Sequence, residues 1–321
     1  MIRWGILGAG HIAGRFVKGL SFSDRSVLYA VASRSGKKRE QYADYVTYSS
    51  YEQLLDDPNV DVVYLAMWHK DHFQWAMEAL KKKKAVLCEK PAVLSTEQME
   101  QIAQCAREND TFFMEAMKTR FLPMIIRLKA LLDEGTIGTI TRVENRFCYD
   151  IGDAQDTRYL FEPEQGGILN DVGSYNMASL LDYIGDEIVS VENDVVYKNG
   201  VDVHDRVTVT FANGQTGFLE MAMDEAKEPL MTITGTKGSI ECAPFYRPEK
   251  IVVKRKGEEA YTIECPYEHD DFYSQIKEVE DCLLAGKIES DRMSLQDSIE
   301  VQRLADRIRE IIRRGNKDEV Q

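Results

Sequence analysis

The sequence predicts an α/β chain in two parts: an N-terminal doubly wound parallel sheet, then an α+β domain with a large, mostly antiparallel sheet. Three observations predict this. The first third alternates short apolar runs with amphipathic helical stretches, the pattern of βαβ units. A glycine-rich turn follows the first apolar run at once. From residue 188 onward, β-type runs follow one another across short polar turns, which suits hairpins rather than crossovers. At 321 residues the chain exceeds one ordinary core, so two domains are expected, 1–120 and 121–321.

In the first domain, strands are expected at Ile2–Leu7, Val27–Ala32, Val60–Ala66, Ala85–Cys88 and Thr111–Met114. Val60–Ala66 is nearly all apolar, as a strand buried on both faces must be. Phe73, Ala76, Met77 and Leu80 recur at helical spacing and give a helix from about Lys70 its apolar stripe. The Lys81–Lys84 run that ends it reads as a solvated last turn whose cations suit the helix dipole, in preference to a phosphate site. Ser95 with Gln98 forms a capping box for the next helix, which buries Met99, Ile102 and Ala106.

After about residue 120 the pattern changes. A helix near Pro123–Asp133 leads to a strand, Thr139–Tyr149, and a helix near Asp171–Ile184. Seven β-type runs follow: Ile188–Tyr197, Asp205–Phe211, Thr216–Met223, Leu230–Thr234, Gly238–Cys242, Lys250–Lys254 and Tyr261–Cys265. Asn213-Gly214 between two of them is a hairpin signal. Helices near His269–Ala285 and Ser294–Arg314 close the domain.

A net charge of −14 argues against a nucleic-acid binder. The six cysteines show no CxxC pair, so no zinc site is expected and reduced thiols of a cytoplasmic protein fit better than a secreted disulfide framework. No signal peptide is expected ahead of the first glycine turn, and no apolar run has membrane-spanning length.

The turn itself reads Gly8-Ala9-Gly10-His11-Ile12-Ala13, a GxGxxA variant of the dinucleotide fingerprint. Gly8 makes the tight turn, Gly10 lets the backbone approach a pyrophosphate, and small Ala13 lets helix and strand pack closely. Free N–H groups at the helix start, around His11 and Ile12, suit the anion. A strand before it and a helix after it make this a Rossmann domain. At the end of the second strand, where an acid selects NAD, the chain has Ser33-Arg34 and then Lys38, with no acid before Glu40. Arginine suits a 2′-phosphate, so the expected cofactor is NADP.

Glu89-Lys90-Pro91 follows a strand at its carboxyl edge, where ligands of doubly wound folds bind. This motif, with the glycine turn, Ser33-Arg34, His69-Lys70-Asp71-His72, Met114-Glu115-Ala116, Thr119-Arg120-Phe121, Asp171-Val172-Gly173-Ser174-Tyr175 and Gly235-Thr236-Lys237-Gly238, resembles the Gfo/Idh/MocA oxidoreductase family, and within it the branch of dihydrodiol dehydrogenases and NADP-dependent D-xylose dehydrogenases. The resemblance implies that Lys90 lies by nicotinamide and substrate, that Tyr175 is the acid/base, and that the Lys90–Pro91 peptide is cis. A tyrosine works as a base near neutrality only when a cation stabilises its phenolate, and Lys90 is that cation in this scheme. Asp171, four residues before Tyr175, would share its helix face and orient Lys90 or a substrate hydroxyl. Trp68 and His69 are expected at the nicotinamide ribose, Glu89 and Arg120 near the cofactor. His72 is counted with them, though capping or bridging suits it better. Where that branch has tryptophan two residues before Arg120, this chain has Lys118, a cation expected to favour a polar or anionic substrate.

The expected activity is hydride transfer between NADP(H) and a cyclic sugar, polyol or related carbonyl compound. A dihydrodiol or dicarbonyl reductase, or a non-catalytic NADP-binding regulator, are the alternatives. Phe211, Phe218, Leu219 and Met221 cannot all point to one side of alternating strands. With the resemblance, this predicts a homodimer through the C-terminal sheet, unless charged Asp205, Arg206 and Glu220 keep the open face wet.

Overall fold

The apolar runs of the first third pair as parallel strands. β1 (Ile2–Leu7), β2 (Ser26–Ala32), β3 (Val46–Tyr48), β4 (Val62–Leu65), β5 (Ala85–Cys88) and β6 (Phe113–Glu115) lie in the order β3-β2-β1-β4-β5-β6, every pair parallel. Helices α1 (His11–Leu20), α2 (Gly36–Glu40), α3 (Tyr51–Asp56), α4 (His69–Lys81) and α5 (Thr96–Glu108) connect them. Every residue of β4 and β5 is buried, as in a sheet covered on both faces. Ser95 caps α5 by accepting from Gln98 N at 3.2 Å, and Gln98 accepts from Leu94 N at 3.1 Å. The strand order reverses between β1 and β4, so their carboxyl ends open onto a topological switch point. Of the Lys81–Lys84 run, Lys84 is not a solvated cation: its Nζ donates to Asp57 O and Val60 O at 2.7 and 2.8 Å.

The computed structural model describes residues 1–152 and 158–319. Its first unit is Met1–Phe121 together with Glu268–Ile299. The expected division at 120/121 is therefore corrected: 268–299 belongs with the parallel sheet. Arg25 bonds Glu280 at 3.0 Å and Asp281 at 2.6 Å, and Phe113 N donates to Ile288 O at 3.0 Å. An amphipathic helix carries the same pattern whichever domain it covers, so periodicity could not assign this segment.

The second unit is Leu122–Tyr267 with Glu300–Gln321. It holds α6 (Pro123–Asp133), β7 (Ile140–Asp150), α7 (Ile168–Asp171), α8 (Gly173–Ile184), β8 (Ile188–Lys198), β9 (Val201–Phe211), β10 (Thr216–Ala222), β11 (Asp224–Lys227), β12 (Met231–Gly235), β13 (Gly238–Cys242), β14 (Lys250–Arg255) and β15 (Tyr261–Glu264). α9 (Tyr273–Leu284) belongs to the first unit, and α10 (Leu295–Glu319) starts there and continues in the second. The strands form one sheet in the order β15-β14-β13-β12-β7-β10-β9-β8, with β11 on β7. β7 and β10 run parallel and the other pairs antiparallel. Asn213-Gly214 makes the β9–β10 turn, with Gly214 at φ +81° and Asn213 Oδ1 accepting from Gln215 N at 3.0 Å.

Leu219 and Met221 on β10 are fully buried on the side of Gly217, where Leu180 of α8 packs. Phe218 and Glu220 point to the opposite face. There Asp194, Arg206, Glu220 and Arg146 stand in one cross-strand row, with Arg206 Nη1 3.3 Å from Asp194 and Nε 3.6 Å from Glu220. Asp205 does not belong to this row. It alternates with Arg206 and is fully buried, accepting from Asn193 Nδ2 at 2.6 Å. Among the described residues, no helix is long and apolar enough to cross a membrane.

Candidate active site

Gly8 follows β1 at φ +99°, and a Cβ there would lie 2.8–2.9 Å from the main chain of Ala66 and Met67. Only glycine fits. At Gly10 a Cβ would meet nothing nearer than Ala66 O at 3.8 Å. The fold tolerates a side chain there, so what glycine keeps clear is the space before α1. Gly10 is the N-cap of α1 and makes no side-chain cap, and no acid stands in the first turn. Uncapped N–H groups at the start of a ten-residue helix are an anion site. Exposed His11 and half-buried Ile12 flank it, and Ala13 is fully buried. These residues fit a dinucleotide pyrophosphate.

At the end of β2, Ser33 is buried; its Oγ accepts from Ser35 N at 3.3 Å and its carbonyl takes the Arg39 guanidinium. Arg34 is 76% exposed, 5.8 Å from the Tyr51 ring centroid and 3.7 Å from the Asp71 carboxylate. A cavity of about 240 Å³ opens among Arg34, Tyr51, Asp71 and Trp75. Lys38 lies exposed on α2.

Lys90 sits at the carboxyl end of β5, and its peptide to Pro91 is cis. Main-chain bonds brace this turn from three sides. Glu89 Oε2 accepts from Lys90 N at 3.3 Å, Glu115 Oε1 accepts from Ala92 N at 2.9 Å, and His72 Nδ1 lies 2.9 Å from Pro91 O. Tyr64 on β4 donates to the other Glu89 oxygen. Burial pushes both glutamates up; the Tyr64 hydroxyl and Lys90 oppose it at Glu89, and the Ala92 N–H opposes it at Glu115. The count of His72 among the cofactor residues is corrected: its ring is fully buried, with Nε2 3.2 Å from Met67 O, so it ties the β4 loop to the β5 loop and presents no surface to a ligand. Burial pushes its pKa down, opposed by the two carbonyls. Trp68, 52% exposed, and half-buried His69 stand at the start of α4 on the same edge.

Two further expectations change. Arg120 is buried, with Nη1 3.0 Å from Asp297 and 3.3 Å from Arg292 O, so it ties α10 to the loop after β6. Lys118 is not a flexible cation offered to substrate. It is buried against Asp271, with its Nζ 5.1 Å from the Phe272 ring centroid. Nothing in the sequence pointed to the acid, 153 residues away, that receives its ammonium.

In the second unit, the helix expected at Asp171–Ile184 is two helices. Val172, at φ −112° and ψ −17°, separates α7 from α8. Asp171 and Tyr175 therefore lie on different helices, and a shared face does not describe them. A Cβ on Gly173 would press on the Leu169 side chain at 3.0 Å and on Met221 Sδ at 3.2 Å, so glycine lets this junction pack closely. Asp202 Oδ2 accepts from Leu169 N at 2.8 Å, and Asn170 is held by Gly166 O and Arg309 at 2.8 and 3.1 Å, which pins α7. Tyr149 on β7 donates to Asp171 Oδ2 at 2.5 Å, and Tyr159 donates to Oδ1 at 3.3 Å. Burial, then the Asp171 charge, pushes both phenols up. Tyr175, 8% exposed, lies 6.2 Å from Phe147 and 6.1 Å from Tyr246, which stack on each other at 4.3 Å. Sequence reasoning missed Tyr149, Tyr159 and Tyr246, although Tyr149 stands on the alternation of a recognised strand and faces the same side as Val143 and Asn145.

Residues 2–117 match the family model described as the oxidoreductase family with an NAD-binding Rossmann fold, and residues 125–241 match the GFO/IDH/MocA C-terminal domain. The D-xylose 1-dehydrogenase (NADP(+)) of Hypocrea jecorina is 30% identical, over 98% of this chain and 92% of that protein. The chain belongs to the Gfo/Idh/MocA oxidoreductase family. Another family relative, trans-1,2-dihydrobenzene-1,2-diol dehydrogenase of Sus scrofa, is 30% identical over 97% of this chain and 96% of its own. The fold is shared with an aldose–aldose oxidoreductase from Caulobacter crescentus complexed with glycerol, at TM-score 0.88, 22% identity and 98% coverage of both chains. It is shared also with a 3-ketoreductase from Actinomadura kijaniata in complex with NADP and TDP-benzene, at TM-score 0.86, 24% identity and 95% and 96% coverage.

Proposed function

We propose that this family member is an NADP(H)-dependent oxidoreductase that moves a hydride between nicotinamide and a CH–OH or carbonyl carbon of a cyclic sugar or polyol. The observation that carries it is Arg34, standing exposed beside the Tyr51 ring where an acid would select NAD. The NADP-dependent xylose dehydrogenase among the relatives supports both cofactor and substrate class.

The bound cofactor supplies the hydride acceptor or donor. Binding falls to Gly8, Gly10, His11, Ile12, Ser33, Arg34 and Lys38, with Trp68 and His69 toward the ribose. Tyr175 takes the hydroxyl proton during oxidation and returns it during reduction. Lys90 stabilises its phenolate, and Asp171 receives a substrate hydroxyl. The first unit is the cofactor domain; the second binds substrate. Phe147 stacked on Tyr246 favours a second reading, a dihydrodiol or dicarbonyl reductase, because an apolar wall suits an arene diol.

A spectrophotometric screen with NADP(H) and NAD(H) over aldoses, inosose-type ketones, diketones and dihydrodiols tests this. Aldose turnover with NADP⁺ is expected, lost about 10²–10⁴-fold in Tyr175→Phe with NADPH affinity kept, and impaired in Lys90→Met. No turnover in any class would leave a non-catalytic NADP-binding regulator. A cytoplasmic homodimer through the open sheet face completes the proposal. Free thiols at all six cysteines support the compartment, and half-buried Phe218 with 41%-exposed Val196 on that face supports the pairing. A monomer mass by light scattering at micromolar concentration would reject the dimer.

A further inference from the structure

We propose that Tyr149 and Tyr159 are positioning residues for the reaction, a pair of phenols that clamp the Asp171 carboxylate by one oxygen each. The proposal rests on the assignment of Asp171 and Tyr175 to substrate chemistry made above. Tyr149 lies on β7 and donates to Oδ2 at 2.5 Å; Tyr159 lies in the 3₁₀ turn Arg158–Phe161 and donates to Oδ1 at 3.3 Å. The two donors reach the carboxylate from separate elements, so its torsion is fixed from two directions.

Neither phenol is suited to proton transfer. Each is substantially buried beside a carboxylate, which raises the cost of forming a phenolate there. Each remains a donor through the working range of an enzyme, and its proton is committed to Asp171. The main chain beneath Asp171 is pinned independently: Asp202 accepts from Leu169 N, and Gly167 O accepts from Asp171 N at 3.2 Å. Backbone and side chain of Asp171 are thus held by different residues. An acceptor held this rigidly can discriminate among substrate hydroxyls by position, since a site built to bond a hydroxyl rejects compounds lacking it far better than an apolar pocket does.

Hydrogen bonds to a charged group contribute about 1.5–3 kcal/mol, which corresponds to about 10–100-fold. Tyr149→Phe should therefore lower kcat/KM about 10–100-fold for the aldose turned over fastest in the screen, chiefly in kcat, with NADPH affinity by protein fluorescence unchanged. Tyr159→Phe, whose bond is longer, should lose about 3–10-fold. In an Asp171→Asn background, whose amide is a weaker acceptor, Tyr149→Phe should add less than about 2-fold. Tyr175→Phe serves as the control. If Tyr175→Phe abolishes turnover while both phenylalanine variants stay within about 2-fold of the parent, the clamp is wrong and the active-site assignment stands. If Tyr175→Phe is itself active, the assignment falls. Equal losses from Tyr149→Phe with and without the Asp171 carboxylate would also overturn the clamp, since the hydroxyl would then act elsewhere. Should Tyr149→Phe fail to fold, Tyr159→Phe decides: a loss of about 3-fold or more in kcat with unchanged NADPH affinity supports the clamp, and anything smaller rejects it.

Discussion

Lys118 rests its ammonium on one oxygen of the Asp271 carboxylate, while Arg15 of α1 holds the other oxygen at 2.5 Å. The Lys118 cation is therefore an internal tie of the first unit.

Breaking a buried ion pair by removing one partner costs about 3–5 kcal/mol when the other charge is left alone; here Arg15 still holds Asp271, so the cost falls below that range. Lys118→Met should still lower the melting temperature of the purified protein, leaving KM for a neutral aldose within about 2-fold. A substrate-binding lysine would give the reverse: unchanged melting and a shifted KM.

Gly8 and Gly10 separate folding from binding. Alanine at Gly8 meets the Ala66 carbonyl at 2.8 Å and must adopt φ +99°, so Gly8→Ala should lose about 1–3 kcal/mol of stability. Gly10→Ala should melt like the parent but bind NADPH at least about 10-fold more weakly, because its methyl points where a pyrophosphate would lie. Titration calorimetry beside thermal melts distinguishes them; a Gly10→Ala protein with normal NADPH affinity would remove the pyrophosphate from this turn.

Arg34→Ala removes one charge-assisted contact, worth about 1.5–3 kcal/mol. NADPH should weaken about 10–100-fold and NADH hardly at all. Equal losses for the two cofactors would show that Arg34 does not read the 2′-phosphate.

Burial pushes the Asp205 carboxyl well above its ordinary value of 3.8, and the Asp202 charge adds to this. The folded state therefore holds that proton more tightly than the unfolded chain. The stabilisation from Asp205 is complete below about pH 3.8 and is lost as pH rises through the folded value. Asp205→Asn keeps the acceptor for Asn193 and never ionises. Its melting temperature relative to the parent should climb as pH is raised above 4 and show no gain below it; a pH-independent difference would refute the shift.

Much of this was legible in the sequence where local chemistry alone decides. Ile2–Leu7, Pro123–Asp133 and Gly238–Cys242 begin and end where periodicity and a proline at the helix start put them. β3 and β11 escaped notice because three and four mostly exposed residues are too few for a pattern to stand out. The glycine turn and Arg34 were readable because each is a short motif local to its own βα junction, after β1 and after β2. The Asp171 clamp was not, since its hydroxyls arrive from 22 and 12 residues away and only the folded β7 aims one of them. The Lys118 partner lay further still, beyond the reach of any spacing rule.

The return of residues 268–299 to the parallel-sheet unit has a consequence for biosynthesis. The acids that meet Arg25 and Lys118, and the carbonyl that receives Phe113 N–H, are translated after the whole antiparallel sheet. Domains generally fold in the order in which they leave the ribosome; here the N-terminal one cannot finish first. A nascent chain stalled anywhere before residue 268 would carry a dinucleotide fold with Lys118, Arg15, Arg25 and Arg120 still awaiting their counter-ions, so full resistance to protease in that domain should appear only when translation is nearly complete.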